Sequence, residues 1–371
     1  MQSRLLIVLP VLVCACSDDA ELGIGQITSK MVATNDGSCE TLDCGKNGPL
    51  VGGVYFSELY KPPLPFDKSL EFNDLGFRIV HYYASKDDWP DSPSDAALDV
   101  VFGKFASVEQ WAWIELELKK DRSHYLVEVY DVDNDQPYWT WSPDADPIES
   151  YWFRYTLPKF CTHKTHKTTC SWYRPLCKNK PDGADGTMAM PAVVFEGEVY
   201  DPDAFTVKDQ PMVSPPGVGT WFNIACAGSI PAKMHMIRRT RAAAMDPSDE
   251  IDTPVPSIGE RQGFMNVWAA KYCGPEKSYT QNGREIRIRD IHNSLRPDLN
   301  VGFTNNDGHT IEAVWGAEGA LCLNKPRDPS YTQQGVITEC GEHGYVLPEC
   351  ADDVLDTWTT IPGAVAISAT P

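Results

Sequence analysis

Trp111-Ala-Trp-Ile-Glu-Leu-Glu-Leu118 alternates between two chemistries at every step. Successive side chains of an extended chain point to opposite faces. Ala112, Ile114, Leu116 and Leu118 therefore share one face, and Trp111, Trp113, Glu115 and Glu117 share the other. A second stretch of this kind, residues 125–130, follows across Lys119-Lys120-Asp121-Arg122-Ser123-His124. Together they predict a β-hairpin with a polar connection.

Working outward, further strands are expected at 75–83, 151–157, 192–200, 220–225, 285–289 and 310–314, separated by clusters of Pro, Gly and Asp. Helical signals are fewer. Residues 231–241 hold straight-chain helix formers and read as one basic helix. Residues 259–272 place Phe264, Val267 and Trp268 on one stripe, with Gly274 as the stop. No period of 20–50 residues marks a repeat protein. The fold class that follows is α+β and β-rich, with antiparallel sheets, a few short helices and disulfide staples.

The chain has 371 residues, 42% apolar and 11% aromatic, enough to bury a core and to exclude wholesale disorder. Its 32 Lys and Arg against 52 Asp and Glu leave a net charge of −20. That sign opposes nucleic acid as a partner, because cationic side chains must displace the counterions of the phosphates. It equally opposes docking on anionic lipid through basic residues. Twelve Cys and 29 Pro point to an exported, loop-rich protein.

The N terminus agrees. Arg4 is the one charge before residues 5–15, an apolar run broken only by Pro10. At ~1.5 Å per residue that run covers about half of a ~30 Å hydrocarbon core, so it reads as a signal peptide and not as a spanning helix. Val13-Cys14-Ala15-Cys16 before Ser17-Asp18-Asp19 resembles the bacterial lipobox, where the Cys is acylated and the chain is cut before it. Lipidation of Cys16 is therefore expected, with acyl chains as the membrane anchor. The resemblance to bacterial lipoproteins implies, with Ser17 and not Asp after that Cys, the outer membrane or cell surface over the inner membrane. The expected organisation is a signal peptide (1–15), a lipidated tether (16–45), an N-terminal β-rich part (46–158) and a Cys-rich part (159–371). One folded unit over 46–371 is the alternative.

With Cys14 removed and Cys16 acylated, ten Cys remain: Cys39, Cys44, Cys161, Cys170, Cys177, Cys226, Cys273, Cys322, Cys340 and Cys350. An even number in an oxidising compartment fits disulfides, with the connectivity left open. Closeness favours Cys39–Cys44 and Cys161–Cys170. Two metal readings compete with this. Cys161, His163, His166 and Cys170 offer four zinc ligands, at a spacing that matches no known finger and with Lys164 and Lys167 to repel the cation. Asp131, Asp133 and Asp135 begin like a calcium loop, but Gln136 and Ser142 stand where an EF-hand needs Gly and Glu. Neither outweighs the disulfide and solvated-acid readings, and no cofactor is implied.

Catalytic motifs of the usual kinds are absent: no GxSxG, HExxH, CxxC, Walker loop or GxGxxG. Cys273 near a base such as His235 or His292 is better read as a half-cystine, because the C-terminal end of a helix disfavours a thiolate. Trp111 and Trp113, with Trp139 and Trp141, are candidate sugar-stacking faces beside Glu115 and Glu117. The competing reading is that a second layer covers these indoles.

Several short stretches carry a family likeness. They are Trp172-Tyr-Arg-Pro-Leu-Cys177, Phe222-Asn-Ile-Ala-Cys226-Ala-Gly-Ser-Ile-Pro-Ala-Lys233, Ala270-Lys-Tyr-Cys-Gly274, Ser278-Tyr-Thr-Gln-Asn-Gly283 and Glu312-Ala-Val-Trp-Gly-Ala-Glu-Gly-Ala-Leu-Cys322. In this order, over roughly residues 46–350, they resemble the ADYC-domain proteins, exported bacterial proteins that are often lipoproteins. Lys271 stands where the family name has Asp, so the resemblance implies no acid chemistry there. Met234 stands where the family commonly has Cys, which implies that Cys226 pairs elsewhere, with Cys161, Cys170 or Cys340 as substitutes. The expected function is that of a lipid-anchored, non-enzymatic binding or structural module of the cell envelope, with a glycan or an envelope protein as partner. A carbohydrate-binding lipoprotein using the Trp faces is one alternative. A secreted hydrolase is the other, and it needs a pocket where His235, His292, His309 or His343 meets an acid or nucleophile.

Overall fold

A computed structural model describes residues 50–51, 54–55, 58–61, 72, 76–83, 87, 89–90, 113–133, 150–179, 188–201, 205–209, 220–227, 229–241, 254–273, 277–280, 286–292 and 309–370. In chain order, β1 (Leu50–Val51) and β2 (Val54–Tyr55) form a short ladder before β3 (Glu58–Lys61) and β4 (Phe77–Tyr83). The predicted hairpin follows as β5 (Trp113–Leu118) and β6 (Ser123–Asp133), and then comes β7 (Ser150–Thr156). A second hairpin, β8 (Cys161–Lys164) and β9 (Lys167–Cys170), precedes β10 (Arg174–Pro175), β11 (Lys178–Asn179) and β12 (Met188–Ala189). Next are β13 (Pro191–Glu196), β14 (Glu198–Asp201), β15 (Thr206–Asp209) and β16 (Thr220–Cys226). Helices α1 (Ile230–Met236) and α2 (Ile258–Ala269) lead to β17 (Arg287–Asp290), β18 (Thr310–Gly316) and β19 (Gly319–Leu323). The chain closes with α3 (Gln333–Glu342), α4 (Val354–Thr357) and β20 (Ala366–Thr370).

One antiparallel sheet dominates, in the order β3-β16-β13-β7-β6-β5-β4, with β10 on β7. A four-stranded antiparallel sheet runs β17-β20-β18-β19. Between the two sheets lie α1 and α2, sharing one hydrophobic cluster with Val193, Phe195, Ala313, Trp315 and Ala366. The opposite face of the large sheet holds a second cluster, to which the alternating apolar residues Ile114, Leu116 and Leu118 belong. The boundary expected at 158 falls inside this arrangement, because β7 on one side pairs with β13 and β10 on the other.

Several boundaries move, each for a physical reason. Ser123 and His124 belong to β6 and not to the connection, since they pair with Leu118 and Glu117. The strand expected over 192–200 is two strands, because Gly197 adopts φ +101° and turns the chain out of the large sheet. The basic helix ends early, with Arg238 at φ +58° after Met236. Helix α2 opens with a capping box between Ser257 and Glu260 and stops at left-handed Ala270, before the expected Gly274, which lies outside the described residues. It buries more than the predicted stripe: Arg261, Gly263, Met265 and Asn266 are covered too. Gly263 permits this, as a Cβ there would sit 2.2 Å from a Val365 methyl.

The sulfurs pair as Cys161–Cys170, Cys177–Cys226, Cys273–Cys340 and Cys322–Cys350. Cys226 is thus bonded to Cys177, and none of the three substitutes expected for it is its partner. Cys39, Cys44 and the lipidation candidate Cys16 lie outside the described residues.

Candidate functional site

The face of the large sheet that carries Trp113, Glu115 and Glu117 is polar yet largely covered. Across β4, β5 and β6 the register sets His81 opposite Glu115 and His124 opposite Glu117. Charges are matched along it. Arg78 Nε donates to Glu117 Oε2 at 2.8 Å, Arg122 to Glu117 Oε1 at 2.6 Å, and Arg154 Nε to Glu128 Oε2 at 2.7 Å.

Glu115 is the centre of a group of titratable side chains that opens on a cleft. Tyr83 OH donates to its Oε2 at 3.0 Å, and His124 Nδ1 lies 2.7 Å from its Oε1. With the carboxylate accepting from Nδ1–H, the other ring nitrogen of His124 is left for a ligand. The cleft has a volume of about 650 Å³ and is walled by His81, Tyr83, Trp89, His124 and Lys159 around Glu115. Glu115 is 12% exposed and His124 38%, so the acid is recessed and the imidazole is reachable.

On the same sheet, Trp113 Nε1, Glu128 Oε1 and Thr156 Oγ1 are buried without a hydrogen-bond partner. Trp113 and Glu128 are direct cross-strand neighbours. Each such atom costs about 1–3 kcal/mol when left unmade.

Burial works to raise the carboxyl of Glu117, but the hydrogen bonds and charges of Arg122 and Arg78 hold it below the ordinary carboxylate range. Glu260, held down by Ser257 and His292 against its own burial, and Glu339, held down by Lys277, move the same way. A depressed carboxylate stabilises the fold above its unfolded pKa, and the benefit is lost as pH falls through the folded value. Denaturant midpoints measured against pH are expected to fall below about pH 4.5. Glu117→Gln should lower the neutral-pH midpoint and flatten that acid limb.

At Trp113 the covered reading holds and the candidate Trp platform does not form. Its side chain is 0% exposed and packs with Tyr83 and Leu126 under Trp89 and the Cys161–Cys170 pair. The second hairpin is thus the layer that covers the indole. Trp111, Trp139 and Trp141 lie outside the described residues. Cys161 and Cys170 are bonded to each other, so their sulfurs do not serve as the zinc thiolates considered above. His163 Nδ1 instead meets Thr168 Oγ1 at 2.8 Å, and His166 is exposed. Asp131 and Asp133 belong to β6 and pair with Trp152 and Ser150, so no calcium loop starts there; Asp135 lies outside the described residues. Among the described residues, no group of three or more His, Cys, Asp or Glu is placed to hold a metal ion.

The histidines expected of a hydrolase are scattered. His235 stacks on Phe195 with ring centroids 4.6 Å apart, and its Nδ1 meets Thr240 Oγ1 at 2.9 Å. His292 meets Glu260 at the start of α2, while His343 caps the end of α3. The imidazole that meets an acid in a cleft is His124. The sequence carries its signal, as the hairpin brings His124 within reach of Glu115 once the connection is read as the four residues Lys119 to Arg122.

The Ala270–Cys273 stretch is built into the core. Ala270 ends α2 in the left-handed region, and Lys271 N–H donates to the Asn266 carbonyl at 2.9 Å. Tyr272 OH donates to Glu312 Oε1 at 2.7 Å and accepts from the Arg327 amide at 2.8 Å. Burial and the Glu312 charge raise the Tyr272 phenol well above its ordinary value. Cys273 closes a disulfide. Through Tyr272 and Cys273 the end of α2 is held to β18 and to α3.

The molecule is thus a β-rich, disulfide-stapled protein whose polar cleft lies on one face of an antiparallel sheet. A family model for the ADYC domain matches residues 112–329, more than half of the chain, and the chain belongs to that family. The matched span includes Glu115, His124, Lys159, Tyr272 and Arg327. No curated protein and no solved structure matches the chain.

Proposed function

We propose that this protein is an exported, lipid-anchored component of the bacterial cell envelope that acts by binding a polar ligand in the cleft over Glu115. The observation that carries the reading is that cleft, in which a recessed carboxylate holds an exposed imidazole beside Tyr83 and Trp89. The lipobox-like Val13-Cys14-Ala15-Cys16 and the four disulfides support export and anchoring. Intact mass of the protein from bacterial membranes should show acylation at Cys16. Thiol alkylation should label nothing before reduction and two sulfurs per disulfide after it. Free thiols and no acyl chains would remove the anchor and the compartment together.

For the cleft, tryptophan fluorescence reports through Trp89. A panel of monosaccharides and amino acids should contain at least one saturating quencher, and Glu115→Gln with His124→Gln should abolish the response. The second reading, a hydrolase, is favoured by the Glu115–His124 pair, which has the geometry of a carboxylate-oriented base. Turnover of p-nitrophenyl esters or glycosides that disappears in His124→Gln would replace binding with catalysis.

A further inference from the structure

Residues 151–181 contain seven Lys and Arg and no Asp or Glu, in a chain with a net charge of −20. Within this stretch the β8–β9 hairpin projects a basic tip. Its inward side chains, Cys161, His163, Thr168 and Cys170, face the sheet. Its outward ones are Thr162, Lys164, Lys167 and Thr169, all exposed. Lys164 and Lys167 stand directly opposite each other in the ladder. Among the described residues, neither ammonium has an anionic partner. Like charges facing one another across two strands are unfavourable by themselves. The turn between them is also built from two non-glycine residues in the left-handed region, Thr165 at φ +48° and His166 at φ +60°.

Other contacts hold the tip in place. The disulfide clamps its base, Thr168 N–H donates to Asp87 Oδ1 at 2.8 Å, and Thr168 OH donates to the Trp89 carbonyl at 3.1 Å. Beside the base, the Arg174 guanidinium lies 4.6 Å over Trp172, and Lys159 lies 5.2 Å over Phe160. Phe160 and Trp172 pack on each other at 5.2 Å. The surface therefore combines cations carried on a clamped hairpin, threonine hydroxyls and half-buried aromatic rings.

We propose that the outer face of this hairpin, with Lys159 and Arg174, binds an acidic polysaccharide. Each component has a use on such a chain: ammonium groups for its carboxylates, hydroxyls for its hydroxyls, aromatic faces for its rings. The surface differs from the Trp faces considered in the sequence and relies on charge where they relied on stacking. The occupant is a polymer in water and not a bilayer, because the exposed large apolar residues among those described, Val255, Ile258, Ile291 and Val346, all lie elsewhere. The surface shares Lys159 with the wall of the cleft, but the inference rests on the hairpin's own cations and does not depend on the anchor or on a ligand in the cleft.

The test is retention of the full-length protein on immobilised polygalacturonate and on neutral dextran at about 150 mM salt, where surface charges act over ~8 Å. Retention on polygalacturonate alone is expected, weakening as salt rises. Lys164→Glu with Lys167→Glu should weaken it at least about tenfold, and the milder Lys164→Gln with Lys167→Gln should weaken it less. Lys119→Glu with Lys120→Glu carries the same change of net charge on the other hairpin and should leave retention unchanged. No retention of the unaltered protein, equal retention of the Lys164/Lys167 variants, or equal loss in the Lys119/Lys120 control each overturns the proposal. So does capture by phosphatidylglycerol vesicles without retention on polygalacturonate, which would make the partner a membrane.

Discussion

Glu312→Gln is expected to cost the fold about 3–5 kcal/mol, the range for removing one partner of a buried ion pair. Glu312 is 0% and Arg327 3% exposed. The carboxylate accepts from Tyr272 OH at 2.7 Å, Ser368 OH at 2.8 Å and Arg327 Nη2 at 3.0 Å. Ser368 in turn accepts from Trp315 Nε1 at 2.8 Å. Arg327 also donates to the carbonyls of Val267 and Trp268 at the end of α2. Neutralising the acid leaves a guanidinium in the interior with carbonyls alone to offset it. Guanidinium denaturation should show the midpoint falling with little change in slope. The double variant Glu312→Gln with Arg327→Met should cost less than the two single changes added together, because it removes the stranded charge as well. A single change costing under about 1 kcal/mol would mean that water reaches the pair.

Removing the Cys273–Cys340 bond is expected to cost about 4 kcal/mol. It spans 67 residues, and the stabilisation a cross-link gives through the unfolded chain grows with the logarithm of the loop it closes. Cys273→Ser with Cys340→Ser measures this by denaturation against the unaltered protein. Order of reduction is a second readout. Cys273 and Cys340 are 1% and 0% exposed, whereas Cys161 and Cys170 are half-buried on the surface hairpin. Mass-resolved alkylation under dithiothreitol should label the 161–170 pair first and the 273–340 pair only when the core opens.

The two predictions act on residues that look unlike each other in the sequence and meet in one place. Tyr272 and Cys273 are neighbours, and through them the end of α2 is tied to β18 by a hydrogen bond and to α3 by a disulfide. This explains why the Ala270–Cys273 stretch tolerates Lys271 in place of Asp. Its neighbours do structural work at that corner, while residue 271 faces Phe205, with its ammonium 5.8 Å from the ring.

Strands were readable because their signal is local. The alternation in Trp111–Leu118, and the apolar pattern of residues 75–83, 151–157 and 310–314, needs only the two-residue period of an extended chain. Helix α3 and strand β20 went unseen for the converse reason. In α3 only Val336 and Cys340 are buried, and β20 is a run of small residues, Ala-Ile-Ser-Ala-Thr, with no alternation to detect. The site was half legible. Period-two geometry puts Glu115 on the right face, but His124 reads as part of the polar connection, and only its pairing with Glu117 places it in the strand. That Trp113 is sealed in, and so unable to stack on a sugar, depends on a hairpin that begins more than forty residues later.

Chemistry carried along the chain sufficed for the class of fold, the polar face of the central hairpin, the disulfide-rich character and the kinship with ADYC-domain proteins. Packing between distant segments alone decided which sulfurs pair, which indole is covered, and which acid meets which base. Alternation and spacing are properties of neighbours within a few residues. Burial and hydrogen bonds such as that from Ser368 to Glu312, 56 residues apart, exist only once the sheets have closed on one another.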